Sequence, residues 1–119
     1  MTHVTGIGGL FFRAKDPEAL AAWYHQHLGI PPVGAPSGPW HTGAGVTAFA
    51  PFPADTDYFG RPDQSFMLNL RVRDLDTLLG SLREAGAQVE EPAVDTPYGR
   101  FGYVTDPEGN RVELWEPSA

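Results

Sequence analysis

Apolar and polar positions follow the same order of patterns twice along this chain. A largely apolar run over 7–14 leads to Asp16, and another over 65–72 leads to Asp74, so each predicts a strand feeding a helix. A short carboxylate at either point can accept bonds from the free N–H groups of a first helical turn. Pro17 then fits the first helical position, where the N–H it lacks has no partner to lose. Leu20, Trp23, Tyr24, His27 and Leu28 recur at the spacing of one buried helix face, as do Leu75, Leu78, Leu79, Leu82 and Ala85. Gly29 and Gly86 suit the left-handed turn beyond a helix end, and Pro31 and Pro32 keep the first helix from resuming.

Strand-like runs follow each helix. Segments 99–105 and 111–115 flank Asp106-Pro107-Glu108-Gly109-Asn110, which has the early proline and late glycine of a tight turn and predicts a hairpin. In the first half only 46–50 reads clearly as a strand, because glycine and proline interrupt its surroundings. The motif Arg13-Ala14-Lys15-Asp16 returns as Arg71-Val72-Arg73-Asp74, 58 positions later, which is about half of the 119 residues. The expected organisation is one domain over 1–119, with module one at about 5–54, a linker at about 55–64 and module two at about 65–117. Each module reads βαβββ, an α+β arrangement.

Composition narrows the partners. Eight basic against fifteen acidic residues give a net charge of −7, which repels phosphate backbones and anionic lipid, so neither nucleic acid nor membrane is expected as a partner. The chain has no cysteine, which removes disulfides, thiolate nucleophiles and cysteine-bound metals. The first residues lack the basic and apolar regions of a signal peptide, and no apolar run approaches the roughly 20 residues of a membrane span, so a cytoplasmic location is expected.

The opening Leu10-Phe11-Phe12-Arg13-Ala14-Lys15-Asp16, the run Ala22-Trp23-Tyr24 into Leu28-Gly29, and the closing Tyr98-Gly99-Arg100 with Asp106-Pro107-Glu108-Gly109-Asn110-Arg111-Val112-Glu113-Leu114-Trp115 resemble the vicinal oxygen chelate superfamily of glyoxalase-like, bleomycin-resistance-like and dioxygenase-like proteins. The resemblance implies paired βαβββ modules curled into a U-shaped cup of mixed sheet, a homodimer, and a small molecule in the cup, often with a divalent metal. It also implies metal ligands on the first and last strand of each module. Here those positions fall on Gly9, Met67, a site near Ala48 or Phe49, and Glu113. Only Glu113 can serve a hard metal, which normally needs about two or three protein ligands. No cofactor is therefore expected, the alternative being a divalent metal at Glu113.

Period-two alternation puts Arg111, Glu113 and Trp115 on one strand face and Val112 and Leu114 on the other. The apolar pair suits helix packing, leaving Glu113 toward the cup as a candidate acid or base. The structural alternative is pairing of Glu113 with Arg111, Arg100 or Arg71. His41, on an irregular segment, is a second catalytic candidate, able to act with Glu113. His25 and His27 stand about 200° apart on a helix and cannot chelate one ion together. Met67, Asn69 and Arg71 alternate onto one face of their strand, and Phe11 lies on the matching face of the first. With Trp40, Phe49, Phe52, Phe101 and Tyr103 they form the expected ligand-binding set, apolar walls with few polar anchors. Trp40, Phe52, Tyr58 and Phe59 on irregular segments suit a rim or lid. The expected function is metal-free binding or sequestration of an aromatic or apolar, neutral or cationic compound. The alternative is a lyase, isomerase or dioxygenase-type enzyme using Glu113 as base or metal ligand.

Overall fold

Asp16 caps the first helix as its position predicts: in the computed structural model, which describes residues 3–118, its side chain accepts from the Ala19 N–H at 3.2 Å. Helix α1 (Pro17–Leu28) ends at Gly29, whose φ of 71° lies in the left-handed region where a side chain would be strained. Asp74 caps α2 (Leu75–Glu84) in the same way, and Glu116 accepts from the Leu75 N–H at 2.7 Å. Leu75, Leu79 and Leu82 are buried. Each contributes about 1.5–3 kcal/mol by leaving water, whereas an exposed ion pair such as Arg100–Asp76 is screened by solvent, so packing holds the helix. Ala85, expected on this buried face, is exposed, because the helix stops at Glu84 and the chain turns away.

Five strands form one open, curled sheet: β1 (Leu68–Arg71), β2 (Gln88–Val89), β3 (Val94–Thr96), β4 (Gly99–Thr105) and β5 (Arg111–Pro117). The order is β1-β5-β4-β2, with β3 also on β4, and β1 runs parallel to β5 while the other pairs are antiparallel. Module two is thus βαβββ with its second strand broken into β2 and β3. The β4–β5 hairpin forms where the sequence places it. Its turn is built on Asp106, buried and accepting from the Glu108 and Asn110 N–H groups, the Asn110 amide and the Tyr24 hydroxyl, the last at 2.7 Å. That bond ties α1 to the hairpin.

Both helices contribute to one core, in which Leu20 and Tyr24 join Leu75, Leu79, Leu82, Val104, Val112 and Leu114. Gly102 on β4 lets α2 approach closely, since a Cβ there would meet both Leu79 methyls at 3.0 and 3.1 Å. The strand expected over 65–72 is confined to Leu68–Arg71, and the expected strands at 7–14 and 46–50 form no ladder within the chain. A strand is stable only against a neighbour, and Gly6, Gly8, Gly9, Gly43 and Gly45 add backbone entropy to the cost of pairing. Instead Arg71 holds this part of module one. Its guanidinium donates to the Val46 and Gly43 carbonyls at 2.5 and 2.9 Å. No helix among the described residues is long and apolar enough to cross a membrane.

Candidate functional site

The face of β4 and β5 turned away from the helices carries the site. Register pairs Tyr103 with Glu113 and Phe101 with Trp115 on this face, while Val104 pairs with Val112 toward the core, so the alternation read from the sequence sorts the two faces correctly. β1 sets Asn69 beside Glu113 on the other side. Over this surface lies a cup of about 1020 Å³, large for a drug-sized ligand site. The connection 51–64 closes part of it, with Phe52, Tyr58 and Phe59 in the wall. Phe52 stacks on Tyr58 at 5.6 Å and 16°, and Phe101 on Trp115 at 6.0 Å and 6°.

Glu113 is the polar centre of the cup and only 6% exposed. Asn69 donates to its Oε1 at 2.7 Å, and Tyr103 donates to its Oε2 at 2.7 Å, as does Tyr58. The two phenol oxygens lie 2.5 Å apart. Desolvating a carboxylate costs several kcal/mol. Three hydrogen bonds to a charged acceptor, each contributing about 1.5–3 kcal/mol, offset that cost without any opposite charge. Burial, with the hydrogen bond to Glu113 next, pushes the Tyr58 hydroxyl up; burial, followed by the close Tyr58 oxygen and then Glu113, pushes Tyr103 up. Both phenols therefore stay protonated as donors.

The arginines that could neutralise Glu113 are engaged elsewhere. Arg71 holds 43–47, Arg100 pairs with Asp76 and Asp95, and Arg111 pairs with Glu90 at 2.8 Å. Arg111 also stacks over the Tyr103 ring at 3.8 Å and donates to the Tyr58 carbonyl. It thus holds both phenols in place without touching the carboxylate they serve. The structural alternative of an arginine–Glu113 pair is not what the chain forms.

Of the residues expected in the site, Phe52, Met67, Asn69, Phe101 and Glu113 line the cup, and Tyr103 meets them through Glu113. Phe11 and Phe49 are 93% and 87% exposed and Trp40 is half-exposed, all three outside the lining, whereas Val46, Ala48 and Ala50, alternating with Phe49, do line the cup. His41 is exposed on the same irregular stretch and does not reach Glu113. Arg71 is outside the lining, with its guanidinium on the Gly43 and Val46 carbonyls. Tyr58 was expected only as rim, yet it bonds the central carboxylate; nothing local in its sequence marks that role. Trp115 shares the period-two face of Glu113 and was readable as a wall.

The four ligand positions that the family resemblance points to hold few groups able to serve a hard metal. Gly9 has no donor, Ala48 and Phe49 are apolar, and Met67 offers a thioether, which suits soft ions. Glu113 has one amide and two phenols as neighbours, and among the described residues no three His, Cys, Asp or Glu side chains are grouped to hold an ion.

The family model described as a glyoxalase-like domain matches residues 9–115. Among solved structures, TnmS3, described as an antibiotic binding protein from Streptomyces sp. CB03234, is 25% identical over 99% of this chain and 100% of its own, with a TM-score of 0.65. A glyoxalase/bleomycin resistance protein from the same organism is 27% identical over 86% of this chain and 92% of its own, with a TM-score of 0.51. A glyoxylase/bleomycin resistance protein/dioxygenase domain from Frankia sp. EAN1pec, 19% identical over 97% of this chain and 99% of its own, shares the fold at a TM-score of 0.65. No curated protein matches the chain.

Proposed function

The chain belongs to the glyoxalase-like domain family of the vicinal oxygen chelate superfamily, and from that premise we propose that it binds and sequesters an aromatic or apolar organic compound in its cup, without a hard metal. The observation that carries this reading is the cup itself: about 1020 Å³, walled by two stacked aromatic pairs around one buried carboxylate. Such a cavity gains affinity from apolar contact and orients its guest through few polar groups. The likeness to TnmS3, over nearly the full length of both chains, supports a binding role of the same kind. The donor set around Glu113 supports metal-free binding, since one carboxylate, one amide and two phenols are poor company for Zn²⁺.

A homodimer acting in the cytoplasm completes the reading. Ile7, Phe11 and Phe49 are exposed on segments without a ladder, the kind of surface a second copy covers. The absence of cysteine frees the chain from any need for an oxidising compartment.

The test is a thermal-shift panel of polycyclic aromatics, because a compound bound only by the folded state raises its melting temperature by mass action. We expect saturable stabilisation by planar polycyclic members, with one site per protomer and the compound recovered unchanged. Recovery of an isomerised or cleaved compound would overturn sequestration in favour of an enzyme with Glu113 as base. Stoichiometric zinc, nickel, manganese or iron in protein purified without chelator would overturn the metal-free reading.

A further inference from the structure

We propose that the cup selects guests bearing a protonated nitrogen and sets that positive charge against Glu113. This rests on the reading of the cup as a binding site and goes beyond it by naming the charge of the guest. The observation is a buried carboxyl group whose hydrogen-bond donors are all neutral side chains. Every hydrogen bond to Glu113 comes from a neutral donor, and among the described residues no basic group forms an ion pair with it. Among the described residues no lysine, arginine or histidine lines the cup, and Glu113 is the one acidic side chain in its lining.

An ionised carboxylate has about four acceptor sites, and Asn69, Tyr58 and Tyr103 use three of them. The fourth, beside Asn69 on Oε1, takes no hydrogen bond from the described residues. A cation placed there would supply the missing countercharge in a poorly solvated setting, where attraction between charges is strong. The Phe52–Tyr58 and Phe101–Trp115 pairs add ring faces that favour a cation within about 6 Å. An anionic guest would meet Glu113 with no compensating base and would be rejected, and the net charge of −7 adds a weaker field of the same sign.

Three acridines of nearly equal shape test the proposal by fluorescence titration at mildly alkaline pH: the amino derivative, cationic there, the neutral parent, and the anionic carboxylate. On the unmodified protein we expect the cation to bind at least about tenfold more tightly than the parent, and the anion more weakly than both. In Glu113→Gln the cation and the parent should agree within about threefold. Equal affinity for cation and parent in the unmodified protein would overturn the proposal while leaving the cup a binding site, as would a preference that survives in Glu113→Gln. Failure of all three acridines to bind saturably would remove both readings together. The unmodified protein decides between these outcomes by itself, so the test does not depend on the folding of the variant.

Discussion

At the scale of single residues, the hydroxyl of Tyr24 and those of Tyr58 and Tyr103 report on two different kinds of burial. Tyr24 donates to Asp106 beneath the hairpin turn, and the other two donate to Glu113 in the cup. Burial, ahead of the neighbouring carboxylate in each case, raises all three above the ordinary 10.0. The linkage sign follows from comparing the two states. The unfolded chain releases these protons near 10.0 while the folded chain still holds them, so stability is intact below that pH and falls as pH rises toward the folded values. Spectrophotometric titration should therefore show fewer phenolates in the folded protein than in the urea-unfolded protein at the same alkaline pH. Coincident titration curves for the two states would contradict the buried bonds to Asp106 and Glu113. The sequence marks Glu113 as cup-facing through alternation with Val112 and Leu114. It has no mark for Tyr58 as a partner 55 residues away, because that bond depends on how the irregular connection folds back.

Among the elements, the two helices and the hairpin were legible because their signals are local: Asp16 and Asp74 as caps, Gly29 as a left-handed stop, and Asp106-Pro107-Glu108-Gly109-Asn110 as a turn. The strands of module one were not, since 7–14 and 46–50 have strand-like composition but depend on a neighbour that local pattern cannot supply. Arg71 takes over part of that role through the Val46 and Gly43 carbonyls. Arg71→Ala should raise amide hydrogen exchange and protease cutting across 43–47. The melting temperature should change little, because the lost bonds are exposed and water replaces them in the variant. Unchanged exchange over 43–47 would show that this segment is held by something other than Arg71. The same variant should keep its affinity for an aromatic guest, as Arg71 is outside the cup lining.

Taken as a whole molecule, the chain has one well-packed half and one half that leaves apolar side chains in water. Sedimentation should give twice the 12.9 kDa of one chain, and charge at the two most exposed phenylalanines, Phe11→Asp with Phe49→Asp, should yield the monomer. A monomeric unmodified protein at micromolar concentration would refute the dimer. By itself the sequence determined the α+β class, the helix ends, the hairpin and the side of the sheet on which Glu113 lies. Each of these follows from spacing along a few neighbouring residues. Tertiary structure alone decided that Arg71, Arg100 and Arg111 turn away from Glu113, that Tyr58 reaches it, and that His41, Trp40, Phe11 and Phe49 do not join the cup. Those outcomes depend on which of several possible partners a side chain meets after the chain has folded, and long-range competition of that kind leaves no periodic trace in the sequence.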